Sequence, residues 1–452
     1  MTDTLMVGVS GIRGIVGKDL TEEIVARYAK AFGAWAAARS PVVVVGRDAR
    51  ESGPVLERAV IDGLLSVGCD VVQVGLVPTP TVQLAVEHHH AGGGIAITAS
   101  HNPIEWNALK FIGSDGIFLD EADGQRVQAL VADPPGSEMR DAGCVTTDAD
   151  AVERHLDAVL KLPAVDVEAI RKRGFRVALD AVRGAGGPVM RALLERLGCR
   201  VTGTNLETDG RFPHAPEPIP ENLGDLSELV RRSNADVGIA VDPDVDRLAI
   251  VDEQGVPIGE DYTLAFAVRA VLDRRSTDAP IPTVVVNLST SLVVEDAARA
   301  GGARLVRAAV GEANVARTNR DEGAVVGGEG NGGVMLPALH IGRDAPLGVA
   351  LILHLLATNG VTVSDLVAAS PRYTIVKAKG PRGPELAPMY ERLRSRFAEA
   401  QADDRDGLRL AWKDRWLHVR PSGTEPIVRL IAEAPTAADA EALIATAREL
   451  LH

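Results

Sequence analysis

The chain has 452 residues, of which 46% are hydrophobic and 24% are charged, and its formal net charge is −14. This length exceeds what one ordinary core supports and the composition is that of a globular protein, so we expect several domains. The acidic balance argues against a nucleic-acid partner, which requires a basic surface, and no apolar run reaches the roughly 18 residues of a membrane span.

The N-terminal residues and the cysteines indicate the cellular compartment in which we expect the protein. Residues 1–4 lack the basic and apolar regions of a signal peptide, and Cys69, Cys144 and Cys199 show no metal-binding spacing. We therefore expect a cytoplasmic protein without a membrane or nucleic-acid partner, acting on a small molecule as a monomer or homodimer.

A unit of strands and helices occurs three times in the first part of the chain. Short apolar strands are predicted at 42–45, 71–74 and 95–97, at 176–180 and 237–241, and at 283–287 and 324–326. Helices are predicted at 53–67, 81–89, 188–197 and 292–300. Each closing strand leads directly into a polar loop, and open α/β sheets bind their ligands at such strand ends.

The region from about residue 370 onward has a different pattern. A charged helix is predicted over 388–401, followed by a hairpin signal and a helix over 437–451. We therefore predict three α/β domains and a smaller C-terminal α+β domain.

The first polar loop, Thr-Ala-Ser-His-Asn-Pro at 98–103, follows an apolar strand. Pro103 stops regular backbone there, so we expect Ser100 to be exposed as a nucleophile. An ordinary turn that ends a strand is the simpler interpretation of this loop alone. A serine hydrolase is disfavoured, because adjacent serine and histidine do not readily form the base geometry and no G-x-S-x-G elbow is present.

The second loop, at 242–247, carries Asp242, Asp244 and Asp246 at alternate positions, followed by Arg247. Three carboxylates at this spacing can converge on a hard divalent cation such as Mg²⁺. The alternative is a solvated acidic hairpin tip, but carboxylates packed between two apolar strands would repel one another without a cation. Arg247 is placed to hold a phosphoryl oxygen.

Two further loops supply groups that bind sugars and phosphates. Glu329 and Asn331 lie in the glycine-rich segment 328–333, where a carboxylate and an amide can bracket vicinal hydroxyls. The segment 420–426 offers guanidinium groups, hydroxyls and free backbone N–H groups for a non-reacting phosphate. Its candidate ligands are Arg420, Ser422, Gly423 and Thr424, with Arg429 nearby.

Cations near the N-terminus complete the candidate set. We expect Arg13 to lie near the reacting phosphate, and Lys110, on a loop after Asn102, to serve as general acid or base. Arg47 and Arg50 add positive charge, or they pair with Asp48 and Glu51 on the surface.

In order and content, these four loops resemble those of the α-D-phosphohexomutase superfamily, over essentially the whole chain. The resemblance implies three similar α/β domains with mixed sheets and a C-terminal domain, at 1–150, 151–255, 256–368 and 369–452, with the active site in the central cleft. It implies a phosphorylated Ser100 that binds Mg²⁺ together with the three aspartates. Glu329 and Asn331 would read the sugar, and the loop at 420–424 would bind its second phosphate. A sugar bisphosphate would be the intermediate and primer.

One departure from the family pattern affects the proton-transfer role. Many members have serine at the position of Asn331 and histidine at that of Gly333, so the acid/base role shifts to Lys110, His101 or His340.

The glycine-rich segment resembles that of archaeal-type phosphoglucosamine mutases, which implies interconversion of glucosamine 6-phosphate and glucosamine 1-phosphate. Glucose or mannose phosphates are the alternative substrates. A non-catalytic sugar-phosphate-binding protein and a phosphatase that uses Asp242 are the alternative functions.

Overall fold

Four sheets follow one another along the part of the chain that the structure, a computed structural model, describes. The described residues are 5–133, 143–275, 279–381, 385–422 and 427–450. The first three sheets mix parallel and antiparallel strands, and the fourth is antiparallel. The architecture is therefore three α/β domains with mixed sheets and a C-terminal α+β domain, as predicted.

The first domain is built on a seven-stranded sheet in the order β1-β2-β6-β5-β3-β4-β7. Its elements are β1 (Met6–Gly8), β2 (Gly11–Ile15), α1 (Glu22–Ala36), β3 (Val42–Arg47), α2 (Gly53–Leu65), β4 (Asp70–Leu76), α3 (Thr79–His88), β5 (Gly93–Ile97), β6 (Trp106–Gly113), α4 (Glu121–Ala132) and β7 (Val145–Thr147). Helices cover both faces of β3, so Val43 and Val45 enter one apolar cluster and Val44 another. This is why the strand is a continuous valine run.

The second and third domains each have a four-stranded sheet, ordered β11-β10-β8-β9 and β13-β12-β14-β15. The second contains α5 (Ala151–Leu160), α6 (Val167–Arg173), β8 (Arg176–Asp180), α7 (Gly186–Arg196), β9 (Arg200–Thr204), a 3₁₀ turn (Pro220–Asn222), α8 (Gly224–Ser233), β10 (Val237–Val241) and β11 (Leu248–Val251). The third contains α9 (Glu260–Leu272), β12 (Thr283–Asn287), α10 (Leu292–Ala300), β13 (Arg304–Ala308), α11 (Glu312–Asp321), β14 (Val326–Glu329), β15 (Gly333–Met335), α12 (Ala345–Asn359) and α13 (Val363–Ala368). One apolar cluster runs through both domains.

The C-terminal domain packs an antiparallel sheet, ordered β16-β20-β19-β18-β17, against two helices. It contains β16 (Thr374–Pro381), α14 (Ala387–Arg396), β17 (Gln401–Asp403), β18 (Leu408–Ala411), β19 (Trp416–Pro421), β20 (Ile427–Ala434) and α15 (Ala437–Glu449). Leu408 and Leu410 point into its core, so Arg409 lies on the other face of the sheet.

Three sequence predictions need correction. The helix predicted over 388–401 ends at Arg396, because 401–403 pairs with β18 as an edge strand. The strand predicted over 324–326 begins only at Val326 and runs to Glu329. Lys110 lies in the strand β6 rather than in a loop, since its neighbours Leu109 and Phe111 alternate into the core.

The predicted domain boundaries fall between elements of the structure. β7 ends before residue 150, α9 begins after 256, and α13 ends at Ala368. The division itself stays a prediction. No helix within the described ranges is long and apolar enough to span a membrane.

Glu433 joins the C-terminal domain to the third domain. Its buried carboxylate accepts hydrogen bonds from the Ser291 hydroxyl, from the Leu292 N–H at 2.8 Å and from the Trp416 indole at 2.5 Å. The first two donors belong to the N-terminus of α10, so the carboxylate also caps that helix.

We expect Glu433→Ala to destabilise the protein by roughly 2–4 kcal/mol, because it leaves three buried donors without an acceptor. The measurement is the midpoint of the first transition in a thermal scan. Glu441→Ala, an exposed change on α15, is the matched control. An unchanged midpoint in Glu433→Ala would contradict this account of the domain contact.

Candidate active site

Three polar loops occupy equivalent places in the first three domains. Each lies in the turn between a parallel strand and its antiparallel hairpin partner, namely β5–β6, β10–β11 and β14–β15. The first two turns border a central cleft of about 450 Å³, to which the third domain contributes residues 310–314 and Arg343 instead of its turn. Of the candidate residues, the cleft is lined by Arg13, Ser100, His101, Lys110 and Arg247.

Ser100 holds a left-handed backbone conformation, with φ of 49°. Such a φ is uncommon for a residue with a Cβ and costs of order 1–3 kcal/mol. Its Oγ donates to Asp242 Oδ2 at 2.7 Å, across the boundary between the first two domains. The residue borders the cleft but is only 3% exposed, so the expectation of an exposed serine is wrong, because the contact with Asp242 covers it.

Arg50 binds the backbone of the loop at 98–103, called the serine loop from here on. Its Nη2 donates to the carbonyls of Ser100 at 2.6 Å and Asn102 at 2.7 Å, and its Nη1 donates to those of Pro103 and Trp106. Asp48 pairs with this guanidinium at 3.2 Å, and both side chains are fully buried. Arg50 therefore does not pair on the surface as the sequence alone allowed. Its position just after β3 was the signal that could have identified it.

The three aspartates of the second loop form a buried cluster. One carboxylate oxygen from each of Asp242, Asp244 and Asp246 lies within 4.8 Å of the others, and all three residues are fully buried. The Oδ1 atoms of Asp244 and Asp246 have no hydrogen-bond partner among the described residues. Buried carboxylate oxygens without donors are suited to a hard divalent cation. Val245, between them, also has a positive φ, of 62°.

Two cations from other parts of the chain compensate these carboxylates. Lys110 Nζ lies 2.6 Å from Asp244 Oδ2 and 3.6 Å from Asp246 Oδ2. Arg343, which the sequence analysis missed, contacts Asp246 at 2.6 Å, Glu329 at 2.9 Å and Glu312 at 3.1 Å. Arg343 thereby joins the loop at 242–247 to the third domain. No local sequence signal marks it.

Burial and mutual repulsion shape the pKa values in this cluster. Burial raises the pKa of Asp242 well above its usual range, and the carboxylates of Asp244 and Asp246 raise it further. Burial acts in the same direction on the pKa of Asp244, but the Lys110 ammonium outweighs it and the pKa falls. Burial lowers the pKa of Lys110, yet the same carboxylates outweigh that effect and the net pKa is raised. The lysine is therefore protonated in this arrangement.

His101 lines the cleft together with Arg13 and Arg247. Burial, followed by Arg247 and Arg13, lowers the pKa of His101 to about 2, so its imidazole is neutral and weakly basic. Its Nδ1 lies 3.3 Å from Ser100 Oγ. Arg13 donates to Asn102 Oδ1 at 2.7 Å, and Arg247 donates to Glu217 at 3.2 Å.

The glycine-rich hairpin is engaged by the protein itself. Glu329 accepts from Asn287 at 2.9 Å and from Arg343, and Asn331 accepts from the N–H of Gly333 at 3.2 Å. Neither Glu329 nor Asn331 is among the residues that line the cleft. A Cβ on Gly333 would lie 2.2 Å from Cδ of Arg343, so the arginine fills the space that a larger residue would need.

His340 lies elsewhere, buried against Asp344 at 3.0 Å, which also accepts from His155. It is absent from the cleft lining. The structure thus places it in an interdomain polar cluster, away from the candidate active site.

The C-terminal candidates lie on the β19–β20 hairpin. Arg420 and Arg429 are direct partners across the two strands, and Arg420 Nε lies 2.9 Å from Asp406. They and the buried Ser422 are not in the lining of the cleft. Gly423 and Thr424 lie outside the described residues.

Four domain profiles of the phosphoglucomutase/phosphomannomutase family match the chain in order. The profiles for alpha/beta/alpha domains I, II and III match residues 4–135, 153–255 and 259–373, and the profile for the C-terminal domain matches 382–450. Together they cover well over half of the chain.

Individual proteins agree with the profiles. A probable phosphoglucosamine mutase of Methanopyrus kandleri is 39% identical, over 94% of this chain and 93% of its own. A phosphoglucomutase/phosphomannomutase of Thermococcus kodakarensis is 38% identical, over 95% and 94%. The crystal structure of a phosphoglucomutase/phosphomannomutase family protein from Burkholderia thailandensis matches with a TM-score of 0.86 at 27% identity, over 99% of this chain and 96% of that one.

Profiles over all four domains, full-length relatives and a matching fold lead to one conclusion. This chain belongs to the phosphoglucomutase/phosphomannomutase family of the α-D-phosphohexomutase superfamily and is a phosphohexomutase, an enzyme of the isomerase class.

Proposed function

We propose that this phosphohexomutase interconverts glucosamine 6-phosphate and glucosamine 1-phosphate, with Ser100 as the residue that carries the phosphate. The observation that supports the chemistry best is the contact of Ser100 Oγ with Asp242 at 2.7 Å, within a buried carboxylate cluster at the cleft. The amino-sugar substrate is supported by the name of the Methanopyrus relative. The name of the Thermococcus relative supports glucose or mannose phosphates instead.

The proposed reaction consists of two phosphoryl transfers. A sugar hydroxyl attacks the phosphorus of phosphorylated Ser100, the bond from phosphorus to Oγ breaks, and the hydroxyl proton passes through a base to Oγ. The sugar then carries two phosphates. It reorients, and Oγ attacks its other phosphorus while the sugar oxygen leaves and receives the proton of the serine hydroxyl through the base. The balance needs no further reactant beyond the bisphosphate, which also primes an unphosphorylated enzyme.

The three carboxylates of Asp242, Asp244 and Asp246 suit Mg²⁺ as the metal, and the Oδ1 atoms of the last two have no hydrogen-bond partner among the described residues. Bound there together with the Ser100 oxygen, the ion would supply Lewis-acid polarisation of a phosphoryl oxygen.

The cationic side chains that line the cleft can stabilise the negative charge on the oxygens of the transferred phosphoryl group. Arg13 and Arg247 border the same cavity as Ser100 and are the proposed donors to those oxygens. Lys110 borders it too and is the proposed proton-transfer residue, with the neighbouring His101 orienting the serine loop.

The remaining proposed contacts hold the sugar and its second phosphate. Glu329 and Asn331 are assigned to the sugar hydroxyls, and Arg420, Ser422, Gly423, Thr424 and Arg429 to the non-reacting phosphate. Since Arg420, Ser422 and Arg429 do not line the cleft, we expect binding of the second phosphate to require the C-terminal domain to approach the first three.

Ser100→Ala should reduce kcat by more than about a thousandfold, because no other group carries the phosphate. The assay is sugar phosphate isomerisation with Mg²⁺ and a trace of bisphosphate, together with labelling of the protein by ³²P-bisphosphate. Ser66→Ala, which removes a hydroxyl bonded to Gly63 O on α2, is the control and should retain activity. Turnover by Ser100→Ala at the rate of the parent enzyme would refute the mechanism.

The substrate is decided by comparing kcat/KM for glucosamine 6-phosphate, glucose 1-phosphate and mannose 1-phosphate, each with its bisphosphate. We expect the amino sugar to be preferred. Preference for a neutral hexose would move the assignment to phosphoglucomutase or phosphomannomutase with the same mechanism. Net release of inorganic phosphate would point to a phosphatase, and binding without turnover to a sugar-phosphate-binding protein.

Arg50→Lys should lower kcat by about 10- to 100-fold, because one ammonium cannot hold four carbonyls in the geometry of the guanidinium fork. The rate at which bisphosphate labels Ser100 should fall by a similar factor. Arg58→Lys, an exposed change on α2, is the control. Normal labelling in Arg50→Lys would show that the loop does not depend on this residue.

A further inference from the structure

A second cavity, of about 440 Å³, lies between the third and C-terminal domains. Its walls come from α10 and β13 on one side and from β17, β18 and Trp412 on the other. It shares no lining residue with the catalytic cleft. β13 is the outer strand of its sheet, at the opposite edge from the β14–β15 hairpin. Nothing in the proposed reaction uses this cavity.

Arg409 is the unexplained group in the cavity wall. Only 6% of the residue is exposed, and its Nε is fully buried without a hydrogen-bond partner among the described residues. Its guanidinium lies over the Trp416 ring, 5.4 Å from the centroid, and forms no ion pair with any described carboxylate. A buried cation without an anion is costly, so a protein that keeps one has a use for it.

Other arginines line the same cavity. Arg307 donates to the carbonyls of Asn287 and Thr290 and pairs with Glu295 at 3.0 Å. Arg405 donates to Arg307 O and pairs with Asp403. The lining as a whole holds four arginines, namely Arg299, Arg307, Arg405 and Arg409, and two carboxylates, Glu295 and Asp403.

Arg299 also pairs with Asp296 at 2.8 Å, just outside the lining, so a formal excess of one positive charge remains around the cavity. Burial, followed by repulsion from Arg307, lowers the pKa of Arg409 to about 9, and the carboxylates of Glu295, Asp403 and Glu433 only partly offset these effects. A phosphate monoester carries about −1.5 to −2 charges at neutral pH and would supply the missing negative charge. Its oxygens accept bidentate hydrogen bonds from guanidinium groups.

We propose that this cavity is a second ligand site, which binds the phosphate group of a phosphorylated small molecule through Arg409 and Arg307. Its volume lies in the range of small-molecule pockets, roughly 300–1,000 Å³. Leu292, Leu305 and Trp412 provide an apolar wall for the rest of the ligand. Because Arg307 belongs to the third domain and Arg409 to the C-terminal domain, the bound phosphate would cross-link the two.

The test uses inorganic phosphate as the probe, in equilibrium dialysis of the full-length enzyme against ³²P-orthophosphate at constant ionic strength. Wild-type protein should bind one phosphate per chain more than Arg409→Met, and the phosphate that remains in the variant belongs to the catalytic cleft. Arg304→Met is the matched control. Arg304 is on the same strand as Arg307 but outside the cavity lining, paired with Glu322, so this variant should bind as wild type does.

A second variant keeps the proposal testable if Arg409→Met does not fold. Ala411→Glu places a carboxylate two residues along β18 from Arg409, on the same face and in the same cavity. The internal anion should take the place of phosphate, so this variant should also lose one bound phosphate and should raise the thermal midpoint in phosphate-free buffer. Phosphate binding equal to that of wild type in either folded variant would overturn the proposal.

Discussion

The candidate active site depends on the burial of three carboxylates on one hairpin turn. Asp242, Asp244 and Asp246 are fully inaccessible to solvent, and like charges at this separation repel strongly in a low dielectric. Their counter-charges come from elsewhere in the chain, as Lys110 belongs to the first domain and Arg343 to the third. The loop of the second domain is therefore held by ion pairs from both neighbouring domains.

Two of the three polar loops that follow closing strands, those at 98–103 and 242–247, each contain a strained residue. Ser100 and Val245 have left-handed backbone, which neither side chain favours, and Val245 is β-branched and so the more costly of the two. In the serine loop the four carbonyl contacts of Arg50 offset the strain, and the buried Asp48 makes it possible to bury the arginine. The sharp turn aims Ser100 Oγ at Asp242, which a relaxed extended backbone would not do. The left-handed backbone of Ser100 thus accounts both for the strain and for the position of its Oγ.

The local sequence pattern predicted the strands of this protein and the loops that follow them. It did not predict contacts between residues that lie far apart in the sequence. The valine-rich strands and the loops after them follow from periodicity and strand-end chemistry, so 98–103 and 242–247 could be recognised before the fold was known. Arg343 could not, because it meets Asp246 only across 97 residues of intervening chain. Lys110 was predicted on a loop because its own polarity hides the alternation of its strand. The buried state of Ser100 depends on a contact from another domain.

The departure at Gly333 and the arginines of the second cavity follow from one principle, that a buried charge requires a partner of opposite sign. Gly333 leaves room for Arg343, whose guanidinium neutralises carboxylates that a neutral histidine would not compensate. In the cleft, the remaining negative surplus of the aspartates is what suits a cation. At the domain contact the surplus of charge is positive and Arg409 forms no ion pair with the described residues, so the same reasoning supports the proposed anion from outside. The excess negative charge comes from three aspartates on one loop, whereas the excess positive charge comes from arginines of two domains. An anion at the second site would thus be sensitive to how those domains are arranged, which a metal held by a single loop is not.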